Sequence, residues 1–190
     1  MKLVTYRLGG ETDRLGALIE NDTCVLDLLA ASGGNPAALT GMQAFIEAGD
    51  DALSHARNLI AKAPAGAVHE VSSVTLRAPL PRPPQIRDCL CFEEHLVNAY
   101  RVLREVKAKK EPDPVAALKE FEDKGLFQVP EVFYQQPIYY KANPFSVIGT
   151  EEDVLWPHYA NILDYELEFG FFIGKQGRDI PKDKVRSHIF

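Results

Sequence analysis

The stretch Asp164-Tyr165-Glu166-Leu167-Glu168-Phe169-Gly170-Phe171-Phe172-Ile173-Gly174 alternates acidic and apolar residues, then turns wholly apolar. A period of two residues is that of a β-strand, in which successive side chains point to opposite faces. Asp164, Glu166 and Glu168 are therefore expected on one face, with Tyr165, Leu167, Phe169 and Phe171 packing into a core from the other. Side chains two apart on a strand lie about 6.5–7 Å from each other, and two flexible glutamates at that spacing converge on one hard divalent cation. The open alternative is a solvated acidic face, which antiparallel sheets commonly carry. Against it stand the apolar run Phe171-Phe172-Ile173 and the lack of any Lys or Arg alternating with the acids. A buried acidic face of that kind needs a cation.

Upstream, Asp88-Cys89-Leu90-Cys91-Phe92-Glu93-Glu94-His95 places an acid at the end of a strand predicted over residues 86–91. His95 follows in the first turn of a helix predicted over 93–110, where Leu96, Tyr100 and Leu103 recur at helical spacing. A histidine titrating near neutrality serves as a general base, although one in a first turn also serves as an ordinary structural residue. Cys89 and Cys91 lack a local base and read as buried small apolar residues. Lys141, in Tyr139-Tyr140-Lys141-Ala142-Asn143-Pro144, follows an apolar run before a turn. It either balances an anionic substrate or is a solvated lysine ending a strand.

The rest of the chain frames these groups. Leu3–Arg7, Leu15–Glu20 and Thr23–Leu26 read as three strands of a meander, turned at Gly9-Gly10 and Asn21-Asp22. Two helical stretches follow, the second capped by Asp50, and Val74, Leu76 and Ala78 alternate as a strand. Pro79, Pro81, Pro83 and Pro84 mark a boundary, since proline continues neither a helix nor a central strand. Beyond it, Glu93 and Glu94 open a helix that ends in a basic run, which the helix dipole alone explains. Asp113 is the expected cap of a second helix, with Pro114 at its first position and Gly125 at its stop, so the two helices make a hairpin.

Composition narrows the class. Among 190 residues, 46% are hydrophobic and 25% charged, as in an ordinary globular chain. The formal charge of −6 argues against nucleic acid as a partner. Three cysteines without a CxxC pair suggest neither a disulfide frame nor a zinc site. No apolar run is long enough to span a bilayer, so the expectation is a cytoplasmic protein with no membrane partner.

Taken together, Asp164-Tyr165-Glu166-Leu167-Glu168, then Phe171 to Lys175 and Gly177-Arg178-Asp179-Ile180-Pro181, resembles the fumarylacetoacetate hydrolase superfamily. Phe92-Glu93-Glu94-His95 and Tyr140-Lys141-Ala142-Asn143-Pro144 fit its larger members. The resemblance is good over residues 80–190 and looser before them. It implies an α+β fold, mainly β, with a small N-terminal meander and helix domain at 1–80. Residues 81–190 would be the first part of a mixed β-sandwich roll. It also implies that Glu166 and Glu168 ligate a divalent metal, Mg²⁺, Mn²⁺ or Ca²⁺, with Asp88 as a further ligand. His95 becomes the base that activates water, and Lys141 a neighbour of the substrate.

The expected activity is hydrolysis of carbon–carbon bonds in small anionic 1,3-dicarbonyl or acylpyruvate-type acids, as in aromatic compound catabolism, by a homodimer. The alternatives are decarboxylation or isomerisation of a 2-oxo acid, or a truncated, non-catalytic metal-binding domain. Two departures from the family pattern bear on the site. Three residues after His95, where small members carry Glu, stands Asn98, which leaves the acid that orients His95 unassigned. Members also continue past a segment like Arg186 to Phe190 into a strand with an Asn-Asp pair, so the resemblance implies the front portion of a longer protein.

Overall fold

Three consecutive left-handed residues, Glu20, Asn21 and Asp22 (φ 51°, 55° and 69°), reverse the chain between its second and third strands. Thr23 closes that turn by donating its hydroxyl to the Glu20 carbonyl at 2.7 Å. In the computed structural model, which describes all residues from Met1 to Phe190, the meander comprises β1 (Lys2–Arg7), β2 (Arg14–Ile19) and β3 (Cys24–Asp27). Two short strands complete an antiparallel sheet of order β4-β3-β2-β1-β5: β4 (Val68–Glu70), which the sequence pattern did not reveal, and β5 (Thr75–Arg77). The chain divides into two units, Met1–Pro83 with Phe145–Phe190, and Pro84–Pro144.

In the first unit, alternation assigns each strand two faces. One carries Leu15, Ala17 and Leu26, which pack with Leu28, Leu39, Phe45, Ile46, Ala56 and Leu59 as the core. Most of these come from α1 (Leu28–Ala31) and α2 (Met42–Lys62). Within α2, Gly49 leaves the helical region (φ 62°, ψ −138°), so two helical segments meet at a kink one residue before Asp50. Phe190 and Phe172 pack against this core, and the Phe190 ring meets Phe45 edge-on at 5.8 Å. The other sheet face mixes Val4, Leu18 and Val25 with Tyr6, Arg14 and Asp27. Gly16 leaves room there for Val25 and Tyr6, whose atoms lie 2.5 and 3.0 Å from where a Cβ would stand.

In the second unit, α3 (Glu93–Ala108) and α4 (Pro114–Asp123) pack together as a hairpin. The Asp113 side chain caps α4 by accepting from Val115 and Ala116 N–H groups, both at 3.1 Å. At the other end Gly125 (φ 63°) lets Leu126 N–H reach the Phe121 carbonyl at 2.8 Å, closing a Schellman turn. A four-residue helix, α5 (Val132–Gln135), leads into β7 (Tyr139–Lys141), which pairs antiparallel with β6 (Arg87–Cys89).

The fold is thus α+β, but the balance expected as mainly β is reversed, because α2 and α3 run 21 and 16 residues while no strand exceeds six. The strand expected over Asp164–Phe171 is also not formed. Residues 161–172 carry no helix or strand, and the nearest pairing is an isolated bridge between Ile173 and Ile189. A strand requires a neighbour to take up its N–H and C=O groups, and no strand of this unit pairs with that segment. Its apolar face therefore does not enter a core: Tyr165, Leu167 and Phe169 are 87%, 96% and 90% exposed.

Candidate functional site

The register of the β6–β7 ribbon fixes where Asp88 and Lys141 point. Asp88 lies opposite Tyr140, Arg87 opposite Lys141, and Cys89 opposite Tyr139. Directly opposed residues share a face, so Asp88 and Tyr140 stand on one side and Arg87, Lys141, Cys89 and Tyr139 on the other. Lys141 and Asp88 are separated by the ribbon they belong to. Arg87 and Lys141, two like charges face to face, avoid full repulsion because the Arg87 guanidinium lies over the Tyr139 ring, 4.9 Å from its centre.

Leu90 N–H extends the ladder by donating to the Ile138 carbonyl at 3.0 Å, after which the chain enters α3. His95 sits in the first turn of α3, exposed to solvent. It heads an open groove of about 520 Å³ along that helix, with Asn98, Ala99, Val102, Leu103 and Val106. Asn98, one turn on, is the polar neighbour there, in place of the glutamate of small family members. Glu93 is otherwise engaged. Its Oε1 accepts the Tyr134 hydroxyl at 2.6 Å, and this bond is the main reason the phenol titrates above its ordinary range, with desolvation adding to it. Tyr134 was not singled out from the sequence, since no local pattern ties it to a residue 41 positions earlier.

Cys89 and Cys91 are exposed, contrary to the buried placement expected of them. The two-stranded ribbon has no further layer to bury them. Desolvation first, then the charges of Cys91 and Asp88, raises the Cys89 thiol above its usual value. It is protonated at neutral pH and a weak nucleophile.

In the other unit, Glu166 and Glu168 are exposed along with Asp164, whose Oδ1 accepts the Tyr165 N–H at 2.8 Å. Their carboxylates have the hard oxygen chemistry that Mg²⁺, Mn²⁺ or Ca²⁺ prefers, but such ions take about six to eight oxygens. Two glutamates supply four at most. Neither unit gathers three or more His, Cys, Asp or Glu side chains around a common point. The donors are chemically suitable, but within its own unit the pair supplies fewer oxygens than such an ion takes.

One cluster lies where the sequence suggested no chemistry. On the face of the first sheet opposite the main core, Asp27 Oδ2 accepts the Tyr6 hydroxyl at 2.8 Å and Arg14 Nη1 at 2.5 Å. Its Oδ1 caps α1 through the Ala30 N–H at 2.9 Å. Burial, then the hydrogen bond and charge of Asp27, drives the Tyr6 phenol far above its usual pKa. The signal was present in principle, because Tyr6, Arg14 and Asp27 share a face once the meander register is known.

No helix is long and apolar enough to cross a membrane. The family model described as fumarylacetoacetate (FAA) hydrolase C-terminal matches residues 86–190. Among curated proteins, the chain is 22% identical over 190 residues to "Oxaloacetate tautomerase fahd2, mitochondrial" of Xenopus laevis, covering all of this chain and 49% of the relative. It is 27% identical over 193 residues to "Oxaloacetate tautomerase FAHD2A, mitochondrial" of Homo sapiens, again covering all of this chain and 50% of the relative. The chain spans about half the length of the curated relatives it matches.

Proposed function

Because the chain belongs to the fumarylacetoacetate hydrolase family, we propose that it is part of an enzyme acting on a small anionic 2-oxo acid, and that the reaction is the enol–keto interconversion of oxaloacetate or a close 1,3-dicarbonyl relative. The observation that carries the reading is that Asp88, His95, Lys141, Glu166 and Glu168 all fall within the stretch matched to the family. The names of both relatives then favour tautomerisation over bond cleavage.

In this reading His95 is the proton carrier. Its ring makes no hydrogen bond within the chain and faces an open groove, so a ring nitrogen is free to take a proton from the carbon between two carbonyls and return one to the enol oxygen. Lys141 supplies positive charge for the substrate carboxylates in a protein of net charge −6. Asp88, Glu166 and Glu168 enter as oxygen donors for a divalent cation of the Mg²⁺, Mn²⁺ or Ca²⁺ type, with no step assigned to it.

Carbon–carbon bond hydrolysis is the second reading, favoured by the solvent exposure of His95, which gives its base ready access to water. The two differ in product. Enol-oxaloacetate is supplied to the native polypeptide carrying this chain, and loss of enol absorbance is followed beside pyruvate release and acylpyruvate cleavage. Faster enol loss without pyruvate, abolished by His95→Ala, is the expected result; cleavage of acylpyruvate with no effect on the enol would replace the first reading by the second. Titration with Mn²⁺ should show binding that Glu166→Ala and Glu168→Ala each remove. Binding unchanged in both variants would exclude the pair as ligands.

A further inference from the structure

We propose that the first unit holds a site for a small multivalent oxyanion, a dicarboxylate or inorganic phosphate, in a cleft that the functional reading above does not use. The cleft, of about 490 Å³, lies within the size range of small-molecule pockets. Arg7, Arg14, Arg77 and Arg82 line it, and Asp13 is the one acidic residue among its lining groups. A concave surface with an excess of guanidinium groups, on a chain whose net charge is −6, concentrates anions locally.

The guanidinium groups are not fully engaged by the protein. Arg7 Nε at 2.6 Å and Arg77 Nε at 3.8 Å share a single oxygen, Asp13 Oδ1. Arg77 Nε is buried without a hydrogen-bond partner. Its Nη1 is paired with Glu152, as Arg14 is with Asp27 and Arg7 with Glu11, and none of those three carboxylates lines the cleft. Arg82 makes no ion pair or hydrogen bond, although the prolines on either side restrict its backbone. Planar guanidinium forks match carboxylate and phosphate oxygens two at a time.

The first turn of α2 adds to this. Gly41, Met42 and Gln43 also line the cleft, the helix start has no side-chain cap, and its first turn holds no acidic residue. The uncapped N–H groups of that turn lie beside the same space as the arginines, but the segment they open ends at the Gly49 kink, so the arginines carry the site. A bound dianion would draw mainly on Arg77 Nε and on Arg82, the guanidinium donors that the protein leaves without a hydrogen-bond partner.

The test is titration of the ¹⁵N-labelled chain with inorganic phosphate and, separately, with malonate, against sodium chloride at matched ionic strength. Saturable shifts confined to Gly41–Gln43 and to the Nε resonances of Arg77 and Arg82 are expected from at least one of the two anions, and which one binds identifies the source. Arg82→Glu should weaken that binding at least tenfold, and Gln43→Glu, which places an acid in the first turn, should do the same. Shifts that fail to saturate, that appear equally with chloride, or that persist unweakened in both variants would overturn the proposal. The wild-type comparison with chloride decides the matter even if a variant is poorly folded.

Discussion

Removing the Asp27 carboxylate tests whether the Tyr6–Arg14–Asp27 cluster of the first sheet is held by one buried acid. Asp27 is 3% exposed at its side chain and accepts from three donors at once: Ala30 N–H, the Tyr6 hydroxyl and Arg14 Nη1. In Asp27→Ala the Tyr6 hydroxyl, on a residue with 0% exposure, loses its acceptor at a cost of about 1–3 kcal/mol. Loss of the α1 cap adds about 0.5–2 kcal/mol. Arg14, 45% exposed at its side chain, turns to water instead, so its lost ion pair adds at most about 1 kcal/mol. The expected total is about 1.5–6 kcal/mol.

Tyr6→Phe alone should cost about 1 kcal/mol, since Asp27 keeps Ala30 and Arg14. In the Asp27→Ala background the same change should be neutral or stabilising, because it removes a hydroxyl already orphaned. Urea unfolding followed by far-ultraviolet circular dichroism of the four proteins gives the coupling, expected to be about 1 kcal/mol or more. Single-mutant costs that add to within about 0.5 kcal/mol would show that Tyr6 and Asp27 act independently, and the reasoning would fail.

Gly16→Ala puts a methyl group 2.5 Å from Val25 Cγ1 and should cost about 1–3 kcal/mol, read as a fall in Tm; adding Val25→Ala should restore part of it. The folded pKa of Tyr6 lies above its unfolded value, so the folded state holds the extra proton, and stability should fall as pH rises above about 10, by up to about 1.4 kcal/mol per pH unit. A difference titration should show one of the seven tyrosines ionising only on unfolding. Asp113→Ala should cost about 1 kcal/mol and loosen α4 selectively, as measured by hydrogen exchange at Val115 and Ala116. Amides of residues 166–171, which have no backbone partner, should exchange near their intrinsic rates, and strong protection there would contradict the unpaired state of that segment.

What could be read from the sequence was what is local. Asp113, Pro114 and Gly125 specify α4 by chemistry contained within a few residues, and cap, first position and left-handed stop all stand where that chemistry puts them. The same holds for the Asn21-Asp22 turn and for the acids that open α3. β4 escaped notice because a three-residue edge strand has too little alternation to stand out from a loop. The side of the ribbon taken by Asp88 and by Lys141 was beyond reach for another reason. Period-2 alternation gives each strand two faces but does not say which residue of β6 meets which residue of β7, and a register shift of one residue would put the two on the same face.

The acidic–apolar segment separates two things that a sequence pattern is often assumed to supply together. Alternation records that the segment is suited to lie between an apolar layer and a polar one, because no other arrangement makes use of both faces. It contains nothing about the strand whose carbonyls and amides would hold it there. Within its unit the core is already closed by α2, Phe172 and Phe190, which ends the burial just where the apolar run Phe171-Phe172-Ile173 had suggested it would continue. Leu167 at 96% exposure beside Glu166 and Glu168 in solvent is the consequence: the two donor-bearing positions keep their order along the chain but are not held by strand pairing. For the metal role proposed for these carboxylates, the backbone would therefore set the limit. Pairing that segment along its length should do more for the affinity than adding a third carboxylate nearby, since a ligand on an unpaired chain gives up about 1–2 kcal/mol of backbone entropy for each residue that binding must order.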